Sequence, residues 1–224
     1  MEQCETTQRL LDASHPEGAV AVCEEQTAGR GRLGRRWEAA AGSSILVSVL
    51  LRPPADRRVA ELTLVAGVAT AVAVERATGL AAQIKWPNDV MLDRRKVAGG
   101  LAELKDAAVV LGIGINVNQA REELPAETRV PAGSLRSLTG REYDRGSILA
   151  DLLEELEASY DRWREHGLDG VYDDLGARDF LRGRRVAVGD VQGVAQMIGR
   201  DGRLVVDTDA GEVHVESGEV AYRG

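Results

Sequence analysis

The chain has 224 residues, of which 44% are hydrophobic and 29% are charged, and its 36 acidic and 28 basic side chains give a net charge of −8. This is the composition of a folded globular protein, long enough for one sizeable core and a small second domain. The acidic balance argues against a general nucleic-acid binder, while the two cysteines, Cys4 and Cys23, exclude a disulfide scaffold and indicate a reduced, cytoplasmic setting.

The N-terminal part of the chain predicts a short helix, two strands and one long helix. Residues 7–13 are typical of a short helix, and the apolar stretches 19–23 and 44–51 predict strands. Apolar residues recur at helical spacing over 61–78, and Gly79 stands where a C-cap glycine belongs. Polar residues interrupt this apolar run, so it predicts a core helix and no membrane span.

The middle of the chain predicts a short strand followed by a hairpin. Residues 83–86 favour a strand, and the proline that follows predicts a tight turn over 87–89. Residues 96–104 and 109–117 predict two strands joined at 105–106, which implies an antiparallel pair. Glycine recurs in both strands.

The sequence pattern of the last part of the chain changes near residue 180. Residues 119–131 are polar and indicate a surface loop, and 147–166 predict an amphipathic helix ended by Gly167. Short alternating segments then predict the strands of a small β-barrel, at 185–188, 193–198, 204–207 and 212–215. We therefore expect two domains, at 1–178 and 179–224.

An arginine-rich loop contains a pattern that occurs in dinucleotide-binding folds. Residues 27–37, TAGRGRLGRRW, hold G-x-G-x-x-G at Gly29, Gly31 and Gly34, and four of the eleven residues are arginine. A dinucleotide site also needs a long helix opening at the glycines and an acid ~20 residues further on. The segment after Gly34 is too short for that helix. We therefore expect the arginine forks to bind phosphate or carboxylate, with a solvated basic turn as the plain alternative.

Four motifs follow one another along the chain, and together they are specific. They are GRGRLGRRW at 29–37, KWPNDV at 85–90, KVAGGLAE at 96–103 and GIGINVN at 112–118. Their order and composition resemble biotin protein ligases, whose members combine a G-R-G-R-x-G-R loop, K-W-P-N-D, a K-x-x-G strand, a G-x-G-I-N strand and a small C-terminal barrel. The resemblance spans nearly the whole chain.

The resemblance implies a fold and an activity. The fold is α+β, a mixed, largely antiparallel sheet flanked by helices as in class II synthetases, plus a small C-terminal SH3-like β-barrel. The implied enzyme is a monofunctional ligase without the DNA-binding domain of repressor-type members. It joins biotin and ATP into biotinyl-5′-AMP, then transfers biotin to one lysine of the carrier domain of acetyl-CoA carboxylase or a related carboxylase.

The resemblance also implies small molecules and partners. ATP and biotin are the implied substrates, and Mg²⁺ accompanies ATP, although no carboxylate cluster in the sequence identifies metal ligands. Neither nucleic acid nor a membrane is an implied partner. A homodimer stays open.

Matched by position, the motifs assign roles to individual residues. Lys85 corresponds to the lysine that bridges the biotin carboxylate and the α-phosphate, and Arg32 is the second catalytic candidate. The implied biotin site contains Thr6, Thr7, Gln8, Gln26, Arg30, Gly31, Arg32, Lys85, Gly99, Gly112, Gly114 and Ile115. The implied ATP site contains Gly29, Arg30, Arg32, Arg35, Trp37, Lys85, Asn88 and Asn116. One departure is that Thr6-Thr7-Gln8 stands where family members usually have Ser-Thr-Asn.

Two other functions stay open. A lipoate or octanoate ligase or transferase of the same superfold would use a different arginine-glycine motif with a histidine-aspartate pair, which this sequence lacks. A non-catalytic nucleotide- or RNA-binding module would need stacking aromatics, of which the predicted barrel offers Phe180 and Tyr222.

Overall fold

The computed structural model describes residues 1–126 and 128–223, which form thirteen strands and four α-helices. The strands are β1 (Gln3–Cys4), β2 (Val20–Val22), β3 (Glu25–Gln26), β4 (Ser44–Leu51), β5 (Ala82–Lys85), β6 (Asp89–Leu92), β7 (Arg95–Lys105), β8 (Ala108–Asn116), β9 (Arg185–Val188), β10 (Val191–Ile198), β11 (Leu204–Thr208), β12 (Gly211–Val215) and β13 (Ala221–Arg223). The α-helices are α1 (Leu62–Thr78), α2 (Leu135–Thr139), α3 (Arg145–His166) and α4 (Tyr172–Ala177). Short 3-10 turns lie at Thr7–Arg9, Arg32–Gly34, Val59–Glu61, Arg121–Glu123 and Gly167–Val171.

Six strands form the main sheet in the order β2-β4-β8-β7-β6-β5, and each is antiparallel to its neighbours. Strands β4 and β8 pair from Ser44 opposite Asn116 to Leu51 opposite Val109. Every residue of β4 is buried, because the sheet is covered on both faces. Strands β1 and β3 form a separate parallel pair. The expected α+β class with a largely antiparallel sheet is confirmed.

Helix α1 packs between the main sheet and α3. It spans nearly the predicted residues, and Gly79 ends it in the left-handed conformation at φ 74°. Its side chains are buried on almost every side because α3 covers the face that the sheet leaves free. Gly67 allows close approach to the sheet, since a Cβ there would lie 3.3 Å from Cγ2 of Ile84.

The C-terminal strands form a second antiparallel sheet in the order β12-β11-β10-β9-β13. This agrees with the expected small β domain. One continuous hydrophobic core nevertheless includes Trp86 of the main part and Phe180, Leu204 and Val215 of the C-terminal part. The division at 178/179 stays a prediction, and the last residue of the second range, Gly224, lies outside the described residues.

Two local expectations differ from the structure. The helix expected over 7–13 is a single 3-10 turn, because the Asp12 side chain accepts the backbone N–H of Ser14 and favours a turn. The sequence patterns predict no strand at β6, nor at the short strands β1, β3 and β13. The connection of β6 to β7 turns through Asp93 and Arg94 at positive φ, so the usual glycine signal for a hairpin is missing.

Candidate functional site

A pocket lies on the face of the main sheet that is turned away from α1. The alternation along β7 shows this: a Cβ on Gly100 would meet Ala66 of α1, whereas one on Gly99 would meet Lys96 and Trp37. The pocket brings all four sequence motifs together. Of the predicted site residues, its lining includes Thr6, Thr7, Gln8, Gln26, Arg30, Gly31, Arg32, Arg35, Trp37, Lys85, Asn88, Gly99, Gly112 and Gly114.

The glycines of β8 make room for side chains of this same chain. A Cβ on Gly114 would lie 2.6 Å from the Trp37 ring, and one on Gly112 would lie 2.8 Å from Nε2 of Gln8. Any larger residue at either position would displace these side chains. The sheet therefore forms a floor on which Trp37 and Gln8 pack, and the pocket lies beside them.

The arginine loop is a closed hairpin. Its base is held by the Trp37 N–H, which donates to Gly29 O at 3.0 Å, and by the Gly31 N–H, which donates to Arg35 O at 2.8 Å. At its tip, the exposed residue Leu33 adopts the left-handed conformation, with φ 56°, although it is not a glycine. The chain after Gly34 is extended, with Arg35 at φ −71° and ψ 157°. The extended chain after Gly34 agrees with the expectation that no long helix opens at these glycines.

Three loop arginines contact other elements across the pocket. Arg30 lies 2.9 Å from Glu103 of β7, and Arg32 donates to Oδ1 of Asn88 at 3.2 Å. Arg35 pairs with Glu219, which follows the C-terminal sheet strand β12. These pairs hold the loop over the K-W-P-N-D turn, and each ties it to a different part of the chain.

The N-terminal segment forms another wall of the pocket. The Thr7 N–H donates to Oε1 of Gln26 at 2.8 Å, and the Thr7 hydroxyl shares a hydrogen bond of 2.8 Å with Ser48. The Gln8 amide donates to Leu101 O at 3.0 Å, which places it against β7. Thr7 and Gln26, which are far apart in sequence, are thus brought together in the pocket, and the biotin-binding roles that the resemblance implies for them stay predictions.

The pocket contains two lysines around one carboxylate. Lys85 Nζ lies 3.7 Å from Oδ2 of Asp89, and Lys96 Nζ lies 2.6 Å from Oδ1. Lys85 is 3% exposed, and Lys96 Nζ lies 5.6 Å from the centre of the Trp37 ring. Burial lowers the pKa of Lys85, and Asp89 opposes this shift. Burial also lowers the pKa of Arg32.

Three predicted site residues lie outside the pocket lining. Gly29 lies at the base of the arginine loop, where a Cβ would be 2.3 Å from Trp37 O. Ile115 is fully buried in the hydrophobic core. The Asn116 amide donates to Gly133 O at 3.0 Å, and its oxygen accepts from Gln119 at 3.1 Å. The structure therefore gives these three residues structural contacts, and their binding roles stay predictions.

The structure also adds residues that sequence reasoning did not assign to the site. Lys96 and Asp89 were part of quoted motifs, but only their convergence beside Lys85 points to a role. Glu219 and Val220 line the pocket from the C-terminal part. Their position depends on how the C-terminal sheet packs, for which the sequence carries no local signal.

The implied Mg²⁺ is not matched by a set of ligand side chains among the described residues. Among the described residues, no group of three or more His, Cys, Asp and Glu side chains could hold a metal ion. The pocket carboxylates Asp89 and Glu219 are already paired with Lys96 and with Arg35 and Arg129. These residues do not fit a protein-held Mg²⁺ site. Within residues 1–126 and 128–223, none of the helices combines the length and apolar content that crossing a membrane requires.

Comparisons with known proteins match most of the chain. Residues 2–119 match the model of the biotin/lipoate A/B protein ligase family. The chain is 40% identical over 228 residues to the biotin–[acetyl-CoA-carboxylase] ligase of Mycobacterium tuberculosis, which covers 96% of this chain and 82% of that protein. It is 34% identical to the bifunctional ligase/repressor BirA of Bacillus spizizenii, covering 96% of this chain and 69% of that protein.

A solved structure has nearly the same fold. The biotin protein ligase from Aquifex aeolicus in complex with biotin and ATP matches with a TM-score of 0.90 at 30% identity, covering 100% of this chain and 97% of that one. The similarity therefore extends over both the main sheet and the C-terminal strands.

Proposed function

The chain belongs to the biotin/lipoate A/B protein ligase family, and from that membership we propose that it is a biotin protein ligase that activates biotin with ATP and transfers it to a lysine of a carrier domain. The observation that carries the proposal is the pocket in which the arginine loop, Lys85 and Lys96 converge. The relatives named biotin ligases support biotin over lipoate or octanoate as the acid.

In the first step, an oxygen of the biotin carboxylate attacks the α-phosphorus of ATP. The bond from the α-phosphorus to the bridging oxygen breaks, pyrophosphate leaves, and biotinyl-5′-AMP forms. The step brings two anions together, so cations must offset their repulsion and the charge that develops on phosphorus. Lys85, Lys96 and Arg32 are the cations we propose for this role, because all three line the pocket.

The two lysines suit different tasks. Lys85 is held in place by burial, while the Lys96 side chain is 28% exposed and approaches the pocket over Trp37. We assign Lys85 to the fixed charge between carboxylate and α-phosphate, with Lys96 beside it. Asp89 keeps the two ammonium groups near each other.

The N-terminal segment supports recognition of the biotin ring. Thr7 and Gln26 form a hydrogen-bonded pair that lines the pocket, and the Gln8 amide oxygen is buried without a hydrogen-bond partner among the described residues. Such groups match the N–H donors and the carbonyl of a ureido ring. Trp37 and Asn88 line the part of the pocket that we assign to the nucleotide.

In the second step, the amine of the acceptor lysine attacks the acyl carbon of the adenylate. An amide bond forms, the bond to the phosphate oxygen breaks, AMP leaves, and the amine loses a proton. We propose the carrier domain of a biotin-dependent carboxylase as acceptor, which the name of the Mycobacterium tuberculosis relative supports. The free thiols of Cys4 and Cys23 are consistent with a cytoplasmic setting for this reaction.

Biotin-dependent exchange of labelled pyrophosphate into ATP tests the proposal directly. We expect exchange with biotin and not with lipoate or octanoate, and transfer of biotin to one lysine of an added carrier domain. Pyrophosphate exchange that depends on lipoate and not on biotin would identify the chain as a lipoate ligase instead. Absence of exchange with all three acids would reject the enzyme function.

A further inference from the structure

A turn of the C-terminal sheet contacts the strand that carries the pocket lysine. The turn is Asp201–Gly202, between β10 and β11, and Gly202 O accepts the indole N–H of Trp86 at 2.9 Å. Trp86 is 1% exposed and directly follows Lys85. Gly202 of the C-terminal part therefore contacts the residue that directly follows the pocket residue Lys85.

The turn is fitted to this position by further contacts. Arg58 donates to Asp201 O at 2.8 Å, and its other nitrogen lies 2.6 Å from Glu216. Gly202 has φ 75°, and a Cβ there would lie 3.2 Å from Leu168 and 3.3 Å from Glu61. Because the conformation is left-handed and the space is narrow, the turn strongly favours glycine, and a Cβ there would be strained and would press on Leu168 and Glu61.

The neighbouring turn of the pocket is held by different elements. The Thr63 hydroxyl donates to Pro87 O at 2.9 Å, and the Gly100 N–H donates to Asn88 O at 2.9 Å. Both donors belong to the main part of the chain. Lys85, on one side of Trp86, pairs with Asp89 of β6. Trp86 itself donates its indole N–H to Gly202 of the C-terminal part.

We propose that the Asp201–Gly202 turn is a positioning element for Lys85, acting through the indole N–H of Trp86. The inference depends on the proposed function, in which Lys85 supplies a fixed charge to the first step. Trp86 directly follows Lys85, so a displaced Trp86 would shift Lys85 at the end of β5, whereas Pro87 O and Asn88 O keep their hydrogen bonds to Thr63 and Gly100. Misplacement of a catalytic group by about 1 Å can lower the rate about 100-fold.

The test uses Trp86→Phe, which keeps an aromatic ring and removes the N–H donor. In biotin-dependent pyrophosphate exchange we expect kcat to fall about ten-fold or more, because the reacting groups are less well aligned. KM for biotin and for ATP should change by less than about three-fold, because the binding groups of the loop and the N-terminal segment stay in place.

Gly202→Ala tests the same contact from the other side, and Gly183→Ala is its matched control. Gly183 has φ 76°, nearly that of Gly202, and open space around its missing Cβ. Both substitutions impose similar backbone strain, but only the first should displace the turn and lower kcat. Equal kcat in the two alanine variants would overturn the inference, even if Trp86→Phe is not soluble.

A double variant distinguishes positioning from general loosening. Since both single changes act through one hydrogen bond, Trp86→Phe combined with Gly202→Ala should be no slower than the slower single variant. Additive losses of kcat, or losses that follow the change in Tm across all variants, would contradict the inference. A wild-type protein without biotin-dependent exchange would instead reject the proposed function itself.

Discussion

Lys85 and Asp89 face each other as paired residues of the β5–β6 hairpin, with Lys85 Nζ 3.7 Å from Oδ2 of Asp89. The hairpin turn between them is Trp86-Pro87-Asn88, so the lysine and its counter-ion belong to one short motif. Lys96 reaches the same carboxylate from β7. This arrangement holds the Lys85 ammonium group in the pocket, where burial removes its hydration.

Lys85→Met should remove activity without removing stability. We expect biotin-dependent exchange to fall about 100-fold or more, because a charge aimed at the developing phosphate charge is lost. The Tm should stay equal or rise, since a buried cation is replaced by an apolar side chain of similar length and Asp89 keeps Lys96. Exchange assays and thermal unfolding measure both effects.

Lys96→Met provides the comparison. It removes the closer partner of Asp89 and should also lower exchange, but with a lower Tm because Asp89 then keeps only the 3.7 Å contact. If Lys85→Met kept nearly the wild-type rate of pyrophosphate exchange and Lys96→Met did not, Lys96 and not Lys85 would supply the fixed charge.

The rate of the first step should fall at high pH. Burial lowers the pKa of Lys85 from its ordinary value of 10.5. The charged form, which the proposed first step needs, is therefore lost as pH rises through that lowered pKa, before an exposed lysine would titrate. In Lys85→Arg, whatever rate remains should lack this alkaline limb, because the guanidinium stays charged. The same alkaline limb in both proteins would assign the titration to another group.

Biotin and ATP should protect the arginine loop from an arginine-specific protease. The side chains of Arg30 and Arg35 pair with Glu103 and Glu219, and both pairs are partly open to water, so each stabilises the loop only a little. Ligand at ~1,000-fold above Kd stabilises the bound form by about 4 kcal/mol. We expect slower cutting between residues 30 and 36 with both ligands, measured by mass spectrometry of the fragments.

Glu219→Gln is the matched variant for the loop. It removes the carboxylate that pairs with both Arg35 and Arg129, so cutting of the free protein should become slightly faster. Equal cutting with and without ligands would show that the loop is a plain basic turn.

Glu61→Gln should stabilise the protein at neutral pH. Glu61 is buried and accepts the Trp163 indole N–H at 2.8 Å, and burial raises its pKa although that hydrogen bond opposes the shift. With a folded pKa above the unfolded one, its stabilising contribution is full below the unfolded pKa and is lost as pH rises through the folded pKa. Glutamine keeps an acceptor for Trp163 without the charge.

The pH series decides this prediction. The gain in Tm of Glu61→Gln over wild type should be present at pH 7 and shrink as pH falls toward 4.5, the ordinary carboxyl pKa. The exposed Glu157→Gln on α3 serves as the control and should show no such trend. A pH-independent gain would attribute the effect to packing.

The fragment 1–182 tests the proposed domain division. It keeps Arg178 and Phe180, whose backbones exchange hydrogen bonds with Ile84 at 2.7 and 3.0 Å. We expect a cooperative unfolding transition at lower Tm, because Trp86 loses its C-terminal cover, and strongly reduced exchange activity. A fragment without a cooperative transition would show that the two parts form one folding unit.

The sequence by itself determined most of the local elements and the family to which the chain belongs. The helical spacing before Gly79 predicts α1 to within one residue, and the apolar run of β4 predicts that strand's bounds, because period and capping depend on neighbouring residues. The arginine loop and the K-W-P-N-D motif indicated the pocket for a similar reason. Their residues sit close together along the chain, so their spacing constrains what they can bind.

Only the tertiary structure decided which distant residues meet. The convergence of Lys96 with Lys85 on Asp89, and the contact of Gly202 with Trp86, depend on strand pairing and on packing between the two sheets. The same packing put Ile115 in the core and gave Asn116 its partners around Gly133, although both belong to a motif that the resemblance assigned to binding. Such contacts follow from burying one continuous apolar surface, and no short stretch of sequence encodes that surface alone.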